Sequence, residues 1–113
     1  MDAPRTLEAL AARAAAEMPA PAAGRKFIDG KFVVQALAIG GLIVSLGILK
    51  DMAHLGLTAY ELKRQELRQQ LVDYAEEKEL DYKEAEAAAD AILNQINLEN
   101  LQSLIEDAER RKP

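Results

Sequence analysis

The chain has 113 residues, which is enough for one small domain or for a small domain with tails. Half of the residues are hydrophobic, but aromatic residues make up only 4% and tryptophan is absent, so a globular core of this size would be thin. The net charge of −5 argues against nucleic acid as a partner, and the absence of cysteine excludes a disulfide framework, a thiolate metal site and a cysteine nucleophile.

The N-terminal segment, residues 1–30, has the pattern of a short amphipathic helix followed by a linker. Apolar residues recur at helical spacing from Leu7 to Met18, and Thr6 can cap the start of the helix. Pro19 disfavours helical backbone at the residue before it, so we expect the helix to end at Met18. The Pro/Ala/Gly-rich run that follows predicts an extended spacer. Because the segment contains acidic residues and no serine, a retained helix is favoured over a cleaved mitochondrial presequence.

The next segment, residues 31–57, contains a run of eighteen uncharged residues, 32–49, between Lys31 and Lys50. As a helix this run would be about 27 Å long, close to the hydrocarbon thickness of a bilayer. The two lysines can reach the headgroups and lengthen the span. The alternatives are a buried helix of a bundle and a secretory signal. A helix that is apolar all round must be covered on every side outside a membrane. The pattern therefore favours a single transmembrane helix.

Small residues within this run fall on two sides of the expected helix. Lipid provides no hydrophobic drive for helix association, so close packing depends on small residues that let backbones approach. Two opposed small faces predict a helix wedged between two neighbours, although glycine and alanine are common in transmembrane helices in any case. One face consists of Ala36, Gly40 and Gly47, and the opposite face consists of Ala38, Gly41 and Ser45.

The remaining segment, residues 58–113, is an acidic tail in which apolar periodicity predicts about three short helices. Thr58 and Glu61 have the spacing of a capping box, which predicts that the first helix begins immediately after Thr58. Asp81 and Glu84 repeat this arrangement ahead of the second helix.

The third tail helix is expected to start at Asn97, whose side chain can cap it. The tail helices are short and rich in alanine, so we expect them to pack against a partner instead of forming a stable bundle by themselves. The apolar stripe of the third helix is the predicted tail interface. This stripe consists of Leu98, Leu101, Leu104, Ile105 and Ala108.

The sequence contains no pattern typical of a catalytic or cofactor site. His54 is the single histidine, and an ordinary interfacial histidine is favoured over a metal or haem ligand. The acidic residues between Asp73 and Glu79 lack the spacing and the loop glycine of an EF-hand, so they are interpreted as a solvated face. No glycine-rich phosphate-binding loop occurs. We therefore expect no enzyme activity, no metal, no cofactor and no small-molecule substrate.

Four features follow one another along the chain, most of them within residues 25–68. They are a short N-terminal helix, a glycine-rich run flanked by lysines, His54 just beyond that run, and a charged helix from Tyr60. This layout resembles the small single-span accessory subunits of mitochondrial respiratory complexes, with those of cytochrome c oxidase nearest. The chain departs from that family in its long acidic tail after Asp73. The resemblance implies a place in the mitochondrial inner membrane and a structural or assembly role at the periphery of a complex, without a redox centre in this chain.

These patterns together predict an all-α, membrane-integrated chain that is a non-catalytic structural or assembly subunit of a multi-subunit membrane complex. Its partners would be the lipid bilayer and other subunits, contacted through the spanning helix and the tail. A competing hypothesis is a membrane-tethered adaptor or regulator whose helical tail recruits a soluble partner. A third is a helical protein without membrane contact. Lysine and arginine are similarly frequent near both ends of the apolar run, which leaves the orientation open.

Overall fold

The computed structural model describes residues 3–18 and 30–112, and the regular elements in this part of the chain are all helices. The predicted all-α class is therefore confirmed. The spacer predicted after Met18 lies outside the described residues. The helices are α1 (Leu7–Glu17), α2 (Gly30–Val44), α3 (Leu46–His54), α4 (Leu57–Glu77), α5 (Tyr82–Asn94) and α6 (Leu101–Arg111).

Helix α1 has the boundaries that its sequence predicts. The Thr6 hydroxyl accepts a hydrogen bond from the Ala9 backbone N–H at 3.1 Å, which satisfies one of the free donors of the first turn. The backbone becomes extended at Met18, directly before Pro19, as expected for a residue that precedes proline. One face of α1 is buried, and its buried residues are Leu7, Leu10, Ala11, Ala14 and Ala15.

The central apolar run forms two helices, α2 and α3, whose axes are bent by 65°. Ser45 lies at the break with φ −92° and ψ 16°, in the sparsely populated region beside the helical well. Sharp bends commonly occur where glycine and serine are close together, and residues 40–47 contain three glycines and this serine. Among the described residues, no single helix is long and apolar enough to span a membrane; only the bent pair is, by length and composition. The continuous spanning helix predicted for residues 32–49 is not confirmed.

The apolar faces of α2 and α3 are covered by other helices of the same chain. Helix α2 packs against α1 and α4, and α3 packs against α4 and α6. These two helices therefore occupy the position of buried helices in a bundle, which was the alternative weighed against the spanning helix. Their buried apolar residues are Val34, Leu37, Ala38, Leu42, Leu46, Leu49 and Met52.

Helices α4 to α6 pack against the N-terminal half of the chain as well as against one another. Helix α5 lies along α4 and also contacts α1, and α6 contacts α1, α2 and α3. The buried residues of all six helices form one apolar cluster. Helices α1, α2 and α3 of the same chain thus provide a covering surface for the tail helices, and the expected packing of the tail against a separate partner stays a prediction.

The two predicted capping boxes of the tail have different outcomes. Asp81 caps α5, and its Oδ1 accepts a hydrogen bond from the Glu84 backbone N–H at 2.8 Å, so this prediction is confirmed. Thr58 does not cap α4, because that helix already begins at Leu57 with Gly56 as its N-cap residue. Leu55 and Gly56 have extended backbone and separate α3 from α4. Because α4 begins at the next residue, Thr58 lies inside its first turn.

The start of α6 also differs from the prediction. Asn97 and Asn100 exchange hydrogen bonds, each side-chain oxygen accepting from the other residue's backbone N–H, at 3.1 and 2.9 Å. Because residues 97–100 form this turn, α6 begins at Leu101, and Leu98 lies outside the helix and is exposed. The buried Asn100 amide also donates to the Pro4 carbonyl at 2.7 Å, which fastens the N-terminal segment to the start of α6.

A second polar contact joins the two ends of the chain. The buried Asp107 carboxylate of α6 accepts from the Leu7 backbone N–H at 2.9 Å, at the first residue of α1. Arg111 and Arg110 also donate to it, at 3.1 and 3.2 Å. Burial alone would raise the pKa of Asp107, but the hydrogen bonds from Leu7, Arg111 and Arg110 outweigh burial and hold this pKa below its ordinary value of 3.8.

Asp107→Asn is expected to lower the free energy of unfolding by about 1 kcal/mol at pH 7, because the charge-assisted hydrogen bonds become neutral ones. Since the pKa of Asp107 is depressed in the fold, its contribution is complete above pH 3.8 and is lost as the pH falls through the folded-state pKa. The difference between the two proteins should therefore shrink below about pH 4. Urea unfolding at several pH values measures it, with the exposed Asp73→Asn as a control. A difference that stays constant down to pH 2 would contradict the assignment.

Candidate functional site

One of the two predicted helix-packing faces, Ala38, Gly41 and Ser45, is buried inside the chain's own bundle. A Cβ atom built on Gly41 would lie 2.8 Å from Cδ2 of Leu71 on α4. The glycine therefore permits α2 to approach α4 more closely than any larger residue would. The neighbour of this face is a helix of the same chain.

The other predicted face, Ala36, Gly40 and Gly47, is not brought together against a single neighbour. Ala36 and Gly47 are exposed, and nothing lies within 4 Å of a Cβ built on Gly47. Gly40 contacts α4, where an added Cβ would overlap the hydroxyl group of Tyr74. The consecutive residues Gly40 and Gly41 thus both meet α4, since α2 crosses that helix at this point.

The predicted tail interface also lies mostly inside the chain. Its members on α6 are at most 2% exposed and belong to the shared apolar cluster, whereas Leu98 precedes the helix and is exposed. In this structure the stripe is covered by the chain's own helices, and its role toward a separate partner stays a prediction. The buried members are Leu101, Leu104, Ile105 and Ala108.

The sequence favours a role without metal for His54 and for the acidic run from Asp73 to Glu79. His54 is exposed at the end of α3. Within residues 3–18 and 30–112, no group of three or more histidine, aspartate or glutamate side chains is placed to hold a metal ion.

A cleft of about 400 Å³ lies between the end of α2 and one face of α4. We call it the α2–α4 cleft. Residues three and four apart on a helix lie on the same side, which is why the α4 positions below share one wall. The cleft is lined by Val44 of α2 and by Glu66, Gln69, Gln70, Asp73, Tyr74 and Glu77 of α4.

The lining of the α2–α4 cleft combines an exposed aliphatic residue with acidic side chains. Val44 is 57% exposed although it closes the most apolar helix of the chain. Lys63 pairs with Glu66 at 3.1 Å, while in the described part of the chain no basic side chain pairs with Asp73 or Glu77. Asp73 accepts a hydrogen bond from the neutral Gln69 side chain at 2.9 Å. The cleft therefore presents apolar surface beside two carboxylates that no basic side chain of the described part neutralises.

The arginines of α4 are turned away from this cleft. Arg64 donates to the backbone carbonyls of Leu93 and Ile96 at 2.8 and 3.2 Å, where it caps the carboxyl end of α5. Arg68 donates to Asp90 at 2.7 Å and also pairs with Glu86, and the bond to Asp90 contributes most to raising the pKa of Arg68. Both arginines of α4 therefore contact α5 and the residues just after it. The face of α4 that lines the cleft carries Glu66, Asp73 and Glu77.

The sequence contained part of the signal for this cleft. The sequence shows the acidic run from Asp73 to Glu79, for which it predicts a solvated face. The exposure of Val44 was not visible, because it depends on the bend at Ser45.

Comparison with protein-family models, with curated proteins and with solved structures gave no match to this chain. The resemblance to small respiratory-complex subunits accordingly stays an expectation from the sequence. The properties of the site rest on the geometry and charges described above.

Proposed function

We propose that this chain is a non-catalytic adaptor that binds a partner protein through the α2–α4 cleft. The observation that carries the proposal is the composition of the cleft, in which a 57%-exposed Val44 lies beside carboxylates that no basic side chain of the described part neutralises. Val44 is one of several large apolar side chains that are about half or more exposed, and among these it is the one that lines the cleft. A concave surface that combines apolar and polar groups suits a protein interaction site.

The burial of the tail favours an adaptor that acts with its outer surface. The apolar stripe of α6 is covered within the chain, so it is not free to recruit a partner unless α6 leaves the bundle. The outer face of α4 belongs to the same tail, residues 58–113, and it remains accessible. In the proposed adaptor the tail still recruits the partner, but the partner contacts the outer face of α4 instead of the apolar stripe of α6.

Val44→Asn tests the proposal, because it removes apolar contact from the cleft without changing the net charge. Tagged full-length chain is purified from cells with its bound proteins, which are identified by mass spectrometry and measured for stoichiometry. We expect a stoichiometric partner to be reduced about tenfold or more, since an apolar contact at the centre of an interface is worth roughly 1–2 kcal/mol.

Leu98→Asn is the matched control, because Leu98 is 59% exposed but does not line the cleft. The same partner should be retained by this variant at the wild-type level. Equal retention by Val44→Asn and wild type would contradict the proposal, and so would equal loss in both variants.

A second candidate is the accessory subunit of a membrane complex expected from the sequence. The observation that favours it is the apolar pair α2 and α3, which together reach the length and hydropathy of a span. Spanning would require both helices to leave the bundle and the 65° bend to open, or a bent path through the bilayer. This candidate requires the native chain to stay with membranes during carbonate extraction, and release into the peripheral fraction would rule it out.

A further inference from the structure

We infer that the partner segment seated in the α2–α4 cleft is a basic amphipathic helix that places an apolar side chain against Val44. This inference rests on the proposed adaptor function and adds the chemistry of its partner. Three properties of the cleft support it: its charge, its apolar patch and the spacing of its carboxylates.

The charge of the cleft selects a cationic partner. Glu66, Asp73 and Glu77 line it, and among the described residues no lysine or arginine does. Of the nearby cations, Lys63 pairs with Asp51 and Glu66. Lys78 lies over the Tyr74 ring at 5.4 Å, and in the described part of the chain it pairs with none of the cleft carboxylates. An anionic surface such as a nucleic acid or an acidic membrane would be repelled, whereas lysine or arginine would meet complementary charge.

The apolar patch of the cleft distinguishes a protein segment from a simple cation. Val44 is exposed at the end of α2, and the half-buried Tyr74 ring adjoins it in the lining. A hydrated metal ion gains nothing from such surface, and the carboxylates are not grouped as a metal site. A side chain such as leucine or methionine would remove the aliphatic surface of Val44 from water.

The spacing of the carboxylates matches the repeat of a helix. Asp73 and Glu77 are one turn apart on α4, about 6 Å along the axis, and Glu66 is two turns before Asp73. A helix laid along α4 repeats its side chains at the same rise, so basic residues at i and i+4 can face the two carboxylates together. Same-face side chains of an extended strand recur every ~6.7 Å, which fits the spacing of Asp73 and Glu77 but not the ~10.5 Å from Glu66 to Asp73. A helix matches all three carboxylates.

A synthetic probe tests the inference on the full chain. The probe is a fluorescein-labelled peptide of about 18 leucine and lysine residues in an amphipathic helical pattern, and its counterpart carries glutamate at every lysine position. Fluorescence anisotropy measures both affinities at low and at physiological salt. We expect binding of the lysine probe that weakens as salt is added, with no comparable binding of the glutamate counterpart.

The cleft variant is Asp73→Lys combined with Glu77→Lys, and the matched control is Glu61→Lys combined with Glu106→Lys. Each pair replaces two acidic residues with lysine and changes the net charge by +4, from −5 to −1. All four residues are exposed, and Glu61 and Glu106 do not line the cleft. We expect the cleft variant to bind the lysine probe about tenfold more weakly and the control about twofold at most, from the usual strength of surface ion pairs.

The neutral pair Asp73→Asn and Glu77→Gln provides a second variant with less risk to folding, and it should weaken binding by an intermediate factor. Equal weakening in the cleft variant and the control would mean that only net charge attracts the probe, which would overturn the inference. A cellular partner that Val44→Asn loses but the double lysine cleft variant retains would leave the adaptor function standing and overturn its basic chemistry.

Discussion

Replacing Leu104 with alanine is expected to lower the free energy of unfolding by about 3 kcal/mol. Leu104 is fully buried on α6, which packs against α1, α2 and α3. The substitution removes buried methyl groups and leaves a cavity that four packed helices cannot fill without moving. Urea unfolding of the purified chain, followed by circular dichroism, should show a lower midpoint with an unchanged slope.

Leu98→Ala is the control for this experiment, because Leu98 was predicted to belong to the same stripe but is exposed. Its effect should stay within about 0.5 kcal/mol, as for most surface substitutions. A Leu104→Ala protein that is as stable as wild type but has lost a bound partner would show the opposite arrangement, in which α6 presents its stripe to another chain.

The features that could be predicted from the sequence are those decided by hydrogen bonds over three or four residues. Thr6 caps α1 and Asp81 caps α5, and each accepts from a backbone N–H three residues later. Residues this close along the chain meet whenever the helix begins where the pattern predicts. This holds for α1 and α5 but not for α4, which begins before Thr58. The same locality explains the end of α1 before Pro19.

Local hydrogen bonds could not predict whether the apolar run of residues 32–49 packs against lipid or against other helices of the chain. An uncharged helix is stabilised equally by lipid and by other helices, and only contacts with distant residues such as Leu67 and Leu71 of α4 distinguish the two. The chain has few bulky side chains with which to cover the run, and small residues supply much of the covering surface. Alanines such as Ala85, Ala88 and Ala89 on α5 let helices approach closely, so backbone and small side chains cover much of the apolar surface.

The candidate site illustrates the same limit. Its acidic wall follows from helical spacing on α4 and was present in the sequence. Its apolar part exists because the bend at Ser45 ends α2 with Val44 at the surface. Two glycines precede this serine and a third follows it, a pattern that indicates a weak helix but equally suits close packing in a membrane. The cleft therefore appears only once α2 and α4 are placed together.

Gly41→Leu is expected to cost about 3 kcal/mol of unfolding free energy, because it overfills the contact between α2 and α4. A Cβ atom built at this position would lie 2.8 Å from Cδ2 of Leu71, which is closer than two carbon atoms approach unless one of them moves. Leu71 is itself buried and has little space into which to turn. Thermal unfolding followed by circular dichroism should show a clear fall in the midpoint.

Gly47→Leu is the matched control, since it makes the same substitution where nothing lies within 4 Å. Glycine is a weaker helix former than leucine by somewhat less than about 1 kcal/mol, so this variant should be as stable as wild type or slightly more stable. The difference between the two variants then reflects mainly packing, because each replaces a helical glycine with leucine. A helix that exposes both positions to lipid would accept leucine at each of them, so equal tolerance would contradict the packing of α2 on α4.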